Sequence, residues 1–151
     1  MKLKYQDDLS RFPDCPPIDS FGRTCTVYCL VFQAEAEMEM NFLPVAINPN
    51  SNNALAKTRC SGYGLSFWDK MQDLLDRFIS QNYRKAKKEG KAIQKKYHVP
   101  PAIGTHIAEL NIRESDGRMS QPNDKGHIDF HPFEGIDLHQ RITQYIHIPK
   151  S

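Results

Sequence analysis

The chain lacks any hydrophobic run of the length that membrane insertion or secretion requires. A membrane-spanning helix needs about 20 consecutive apolar residues, and no segment of the sequence approaches that length. Residues 1–17 (MKLKYQDDLSRFPDCPP) are polar and contain prolines, without the apolar centre of a secretory signal peptide. We therefore expect a cytosolic protein with no membrane partner.

Cysteine is also scarce, and its four positions are irregular: Cys15, Cys25, Cys29 and Cys60. No two cysteines have the two-residue separation that zinc knuckles and redox motifs use. In a cytosolic protein this pattern predicts reduced thiols. The glycines that follow Cys60 lack the lysine and hydroxyl residue that complete a phosphate-binding loop. We expect neither a catalytic cysteine nor a cofactor.

The composition is that of an ordinary compact domain. The 151 residues, 39% hydrophobic and 25% charged, suit one domain with its own core. We divide the chain into a polar N-terminal arm, residues 1–17, and a single domain, residues 18–151. The formal net charge of +2 is too small to predict nucleic-acid binding by itself. The distribution of charge along the chain is therefore more informative than its total.

The segment 65–97 has the periodicity of one long amphipathic helix. Ser66 is its predicted N-cap, and the aspartates of its first half suit the positive end of the helix dipole. Gly90 predicts a bend, and Pro100 and Pro101 end the element. Apolar side chains recur at spacings of three and four residues, along one stripe: Phe67, Met71, Leu74, Leu75, Phe78, Ile79, Tyr83, Ala86, Ile93 and Tyr97.

The second half of this predicted helix is an island of positive charge. Residues 84–96 contain seven cations and one acid, Glu89, a local charge of +6, so the remaining residues sum to −4. At about 100° per residue the cations span an arc of about 180°. A lysine-rich face that serves only solubility is one interpretation. The other is phosphate contact, for which the predicted nucleic-acid-binding residues are Arg84, Lys85, Lys87, Lys88, Lys91, Lys95 and Lys96.

Strand patterns occupy much of the rest of the chain. Residues 24–33 are rich in β-branched and aromatic residues, which is typical of a central strand buried on both faces. Residues 33–42 alternate between apolar and polar side chains and predict a strand with one exposed, glutamate-lined face. We also predict strands at 105–113, 126–130 and 140–148 and a polar loop at 115–125. The predicted fold is α+β, an antiparallel sheet of about five strands packed on the long helix in a two-layer sandwich.

The histidines form a second candidate site. In the segment GHIDFHP, the residues His127, Asp129 and His131 alternate, so a strand directs all three to one side. Such ligands suit zinc, iron or manganese, with His139 as a candidate fourth. Over about five residues the segment resembles the last metal-binding segment of colicin-type HNH nucleases, which implies a metal-dependent nuclease. The adjacent histidine pair that this family carries upstream is missing. A solvated strand without metal is the alternative.

Three functions follow from these patterns, in order of preference. The first is a non-enzymatic binding module, a small subunit of a larger assembly, whose basic helix face contacts the phosphates of RNA or DNA. The second is a protein-interaction partner without nucleic acid, such as an immunity or inhibitor protein, with its acidic strand and its basic helix as complementary surfaces. An acidic protein surface is then the partner of the basic helix. The third is a metal-dependent hydrolase or nuclease at His127, Asp129 and His131. An enzymatic role is thus the less favoured expectation.

Overall fold

A six-stranded antiparallel sheet is the main element of the computed structural model, which describes residues 1–51, 54–92 and 96–149. The strands are β1 (Cys25–Val31), β2 (Leu65–Trp68), β3 (His106–Ile112), β4 (Gly117–Met119), β5 (His127–Pro132) and β6 (Ile142–His147). The α-helices are α1 (Gln6–Leu9), α2 (Met71–Arg77) and α3 (Gln81–Lys88). The strand order is β4-β5-β2-β1-β3-β6, and every neighbouring pair is antiparallel. The predicted α+β class with an antiparallel sheet is confirmed, with six strands rather than about five.

The main hydrophobic core lies on one face of the sheet. Successive side chains of a strand point to opposite faces, and alternate residues of β1, β2, β3 and β5 enter this core. Phe67 and Phe130 stack at its centre with ring centroids 5.1 Å apart. Leu138 belongs to the same core, and Phe42 and Ile136 pack against it. Loops and a short 3-10 helix, Leu138–Arg141, rather than an α-helix, therefore contribute the residues that cover this face.

The opposite face packs against α2, and we call it the helix face. Leu74 and Leu75 of α2 are buried in a cluster with Trp68 of β2 and Ile107 of β3. This cluster takes up only part of the helix face. Trp68 is paired directly with His127 of β5, and the side chains of directly paired residues lie on the same face. The register therefore places the histidine strand beside the helical layer.

The prediction of one helix over residues 65–97 is wrong. The segment begins with β2, in which Leu65 and Phe67 are buried and Ser66 is exposed. Ser66 is therefore not an N-cap but a strand residue, paired with Asp129. Two short helices follow instead of one long one. The second of them ends before Gly90, whose φ of +71° is the left-handed conformation that glycine adopts at helix ends.

Backbone pairing with the returning chain explains the break between α2 and α3. The Ser80 N–H donates to the Lys96 carbonyl at 2.8 Å, and the His98 N–H donates to the Phe78 carbonyl at 2.7 Å. A continuous helix would use these groups internally, so they cannot serve both structures. Ser80 then caps α3, because its Oγ accepts from the Tyr83 N–H at 3.2 Å. The helical periodicity was real, but it belongs to two elements.

The predicted strand at residues 33–42 is also wrong. Glu35–Met40 form a 3-10 helix with no buried residue. The apolar positions of the alternating pattern begin with two alanines, which offer little area to bury. Asn41 closes the segment by bonding to both backbone groups of Phe32: its Oδ1 accepts from the N–H at 2.7 Å, and its Nδ2 donates to the carbonyl at 2.8 Å. The side chain of Asn41 thus takes the place of a neighbouring strand.

The loop predicted at residues 115–125 contains an additional strand. β4 pairs with β5 and places Arg118 opposite His131. Three residues are too few for a hydrophobic pattern to identify a strand. The pairing partner, rather than the local sequence, therefore defines this strand.

The N-terminal residues pack against the rest of the chain. Leu3 and Leu9 are buried in a second hydrophobic cluster that includes Tyr63. Leu3 also forms an isolated bridge with Phe133, just beyond β5. This cluster brings the N-terminal residues beside the segment that leads into β2.

A disulfide joins Cys15 to Cys60, with an S–S distance of 2.09 Å. The prediction of reduced thiols is therefore wrong for this pair, while Cys25 and Cys29 are free. Disulfides persist mainly in oxidising compartments, so the predicted cytosolic location is not confirmed. In the described ranges, no helix combines the length and the apolar character that crossing a membrane requires.

Candidate functional site

Four of the seven predicted basic residues lie on α3, and we call them the basic surface. Arg84, Lys85, Lys87 and Lys88 are all exposed, while Ala86 between them is buried. At about 100° per residue the four cations span an arc of about 160° around the helix axis. Their positions follow from local structure, because Ala86 fixes which side of α3 faces the domain.

The cations of the basic surface have no acidic partners in the part of the chain that the structure describes. The one acid of this segment, Glu89, pairs instead with Lys91, whose Nζ lies 3.1 Å from Oε2. Four like charges on two turns of a helix repel one another. A partner with closely spaced negative charges would relieve this repulsion.

Two of the other three predicted basic residues, Lys91 and Lys96, do not continue the face of α3. Lys91 lies beyond Gly90, where the helix has ended. Lys96 lies in the returning segment and is held beside the start of α3 by its bond from the Ser80 N–H. Lys95 lies outside the described residues. The basic residues therefore do not form a single helical face of seven cations.

β5 carries His127, Asp129 and His131 on the helix face, but they differ in burial. His127 and Asp129 are half-buried, whereas His131 is only 2% exposed. Burial raises the pKa of Asp129, and the neighbouring His127 lowers it by less, so the pKa is raised overall. His139, the candidate fourth ligand, contacts Phe42 on the other side of the sheet.

The structure brings no metal-binding set together among the residues that it describes: no group of three histidine, cysteine, aspartate or glutamate side chains is placed to hold an ion. His131 is enclosed, and neither of its ring nitrogens has a hydrogen-bond partner in the described chain. Burial, followed by the charge of Arg118, lowers the pKa of His131 to about 4. This imidazole is therefore neutral at pH 7.

His127, unlike the enclosed His131, is half-buried, and it contacts Ser66 on the neighbouring strand. Its Nε2 lies 3.0 Å from Ser66 Oγ, and its ring meets Trp68 edge-on with centroids 5.1 Å apart. A serine and a histidine at this distance are the first two parts of an activated nucleophile, which also needs a third group to orient the base. No described residue hydrogen-bonds the other ring nitrogen of His127. The contact therefore does not amount to a catalytic triad.

His127 and Ser66 line a cleft between the sheet and the two helices. Its volume is about 790 Å³, within the roughly 300–1,000 Å³ of small-ligand sites. Asp73 and Arg84 line the helical side of the cleft, and Asp124 lies on the loop that precedes β5. The cleft therefore contains an imidazole, carboxylates and a guanidinium, and Arg84 belongs both to it and to the basic surface.

The loop wall of the cleft is held in place before any ligand binds. Asn123 Oδ1 accepts from the Lys125 N–H at 2.9 Å and from the His127 N–H at 3.0 Å. Gly126 follows with a φ of +76°, and a side chain there would collide with the carboxylate of Asp73. The requirement for glycine is therefore both conformational and steric.

Sequence reasoning missed this cleft because it assigned Ser66 and Trp68 to a helix. The cleft depends on β2 pairing with β5, a contact between distant parts of the chain. The signal available in the sequence is the apolar-polar-apolar order of Leu65, Ser66 and Phe67, which corresponds to buried, exposed and buried side chains in the structure. A pattern of this length does not distinguish a strand from a helix.

No protein-family model matches the chain, and no curated protein or solved structure matches it significantly. The function must therefore be argued from the basic surface and the cleft themselves.

Proposed function

We propose that the protein is a non-enzymatic nucleic-acid-binding module whose basic surface contacts the phosphates of RNA or DNA. The observation that carries this proposal is the exposure of Arg84, Lys85, Lys87 and Lys88 on one side of α3 without acidic partners in the described chain. Lys96 lies beside the start of the same helix and extends the positive region.

Nucleic acid is the partner that this arrangement suits best. Each strand of a duplex carries one negative charge per about 3.4 Å of helix axis, so neighbouring cations on one helix meet several phosphates at once. Lysine side chains position a backbone but read bases poorly. We therefore expect binding to depend weakly on sequence and strongly on salt concentration.

The number of cations also bears on the biological context. Four cations neutralise at most about four phosphates, and sequence-independent binding typically has a Kd of about 10⁻⁴–10⁻⁶ M at physiological salt. Affinity in this range is useful when other subunits add further contacts. We propose that the protein acts as a small subunit of a larger nucleoprotein assembly.

The test is a pair of matched charge reversals. Lys85→Glu/Lys88→Glu and Lys57→Glu/Arg59→Glu both change the net charge by −4, but only the first pair lies on the basic surface; all four residues are exposed. We expect the first variant to lower affinity for a 12-nucleotide single strand and a 12-base-pair duplex at least tenfold, measured by fluorescence anisotropy. The slope of log Kd against log salt concentration should fall by about 1.5, because each of the two lost phosphate contacts contributes about 0.7–0.9 to it. The second variant should change neither.

Equal losses in the two variants would mean that only total charge matters, and the proposal would fail. A flat salt response in the unmodified protein would also contradict it. If the protein binds an acidic protein through these lysines but retains no RNA or DNA, the basic surface is a protein interface instead.

A further inference from the structure

Arg84 connects the basic surface to the cleft, because its side chain lines both. A chain of phosphates that contacts Arg84 together with Lys85 and Lys88 therefore lies beside a cavity of about 790 Å³. Such a cavity is large enough for a nucleotide-sized group. The relation of the two features suggests one continuous site.

The interior of the cleft differs from the basic surface in its chemistry. Asp73 and Asp124 place carboxylates in it, and carboxylates accept hydrogen bonds from the exocyclic amino groups of bases. His127 offers a half-buried aromatic ring whose orientation is set by Trp68 and by the contact with Ser66 Oγ. Carboxylates and cations line the cleft in equal number, so, unlike the basic surface, the cleft carries no excess positive charge that would favour a phosphate over an uncharged base.

The walls are also preorganised. The hydrogen bonds of Asn123 fix the loop before β5, and sheet pairing fixes His127 opposite Trp68. A site that is already ordered loses less conformational entropy on binding. This favours a defined ligand over general surface adsorption.

We propose that the cleft takes up one base of a single-stranded nucleic acid whose backbone lies on the basic surface. The base packs on the ring of His127, its amino group donates to Asp124 or Asp73, and Arg84 holds the adjoining phosphate. This inference rests on the proposed function and adds a preference for single strands. A paired base cannot enter the cleft without leaving its stack.

The test compares a 12-nucleotide single strand with a 12-base-pair duplex of the same sequence, by fluorescence anisotropy at one salt concentration. The variants are His127→Ala, which removes the ring, and Asp124→Asn, which removes an exposed charge from the loop before β5. The matched control is Asp19→Asn, an exposed carboxylate away from the cleft. Stacking on one aromatic side chain raises affinity by about fivefold or more per base. We therefore expect His127→Ala to weaken single-strand binding at least fivefold and to leave duplex binding unchanged.

Single strands that differ in their content of bases with an exocyclic amino group should bind Asp124→Asn in a different order of affinity from the unmodified protein. Asp19→Asn should keep the original order. If single strand and duplex bind equally and neither cleft variant alters binding, while Lys85→Glu/Lys88→Glu weakens both, the base-binding inference is overturned and the proposed function stands. If neither nucleic acid binds, both proposals fail together.

Discussion

Arg141 holds the fully buried carboxylate of Asp116 with two hydrogen bonds, from Nε at 2.8 Å and from a terminal nitrogen at 2.9 Å. Asp116 also accepts from the Arg113 N–H at 2.8 Å. The two residues immediately precede β4 and β6, which are the edge strands of the sheet. Burial raises the pKa of Asp116, but the bonds from Arg141 and Arg113 lower it overall. This ion pair therefore links the two segments that lead into the edge strands.

Replacing Asp116 by asparagine should lower the free energy of unfolding by about 3–5 kcal/mol, because it leaves a largely buried guanidinium without its counter-charge. Urea unfolding at pH 7 measures the change. Glu114→Gln removes an exposed charge two residues away and should alter stability by less than about 0.5 kcal/mol. A loss in Asp116→Asn no larger than in this control would show that the ion pair contributes nothing.

The break between α2 and α3 yields a second prediction, at Ser80. Because its Oγ caps α3, Ser80→Ala should lower the free energy of unfolding by about 1 kcal/mol. Ser66→Ala is the matched control, since Ser66 is exposed on β2 and its hydroxyl bonds, among the described residues, to the side chain of His127. Thermal unfolding of both variants distinguishes two separate helices, α2 and α3, from one continuous helix. If the segment were one helix capped by Ser66, the larger loss would appear in Ser66→Ala.

These two serines also show where sequence reasoning succeeds and where it stops. β1 and β3 each contain seven residues with a strong local pattern, and both were predicted within two residues of their ends. The 3.6-residue periodicity over residues 65–97 was compatible with one helix or several. The pairing of Ser80 with Lys96 and of His98 with Phe78 decides between them, and no local pattern encodes such contacts.

One part of the candidate site could be predicted from the sequence, and the other could not. The basic surface was predictable because cations on adjacent turns of a helix share a face whatever the rest of the fold does. The cleft was not predictable, because it requires Trp68 and His127 to be directly paired across two strands. Local chemistry can be read from a sequence, whereas register between distant strands depends on the packed core.

The disulfide between Cys15 and Cys60 gives a third prediction. The two cysteines are separated by 45 residues, and in the chain-entropy model the closure of such a loop stabilises the folded state by about 4 kcal/mol. Cys15→Ala/Cys60→Ala should therefore lower the free energy of unfolding by about 2–4 kcal/mol. Dithiothreitol should destabilise the unmodified protein by a similar amount and leave the variant unaffected.

A thiol count under denaturing, non-reducing conditions provides an independent check of the same bond. We expect two reactive thiols per chain, from Cys25 and Cys29, because the other pair is oxidised. Four reactive thiols in protein purified without reductant would contradict the disulfide.

His131 gives the last prediction, a dependence of stability on pH. Its pKa is lowered from an ordinary value of 6.5 to about 4, by burial first and then by Arg118. Between these values the unfolded chain binds a proton that the folded chain does not, so acidification favours unfolding. We expect no destabilisation from this group above pH 6.5, and a loss that grows as the pH falls toward 4, to about 3 kcal/mol at most.

His131→Phe cannot take up a proton, so its stability should fall less over this interval. His98→Ala, which removes an exposed histidine, should follow the unmodified protein. If the curves of His131→Phe and the unmodified protein run parallel from pH 7 to 4, His131 titrates normally in the folded state.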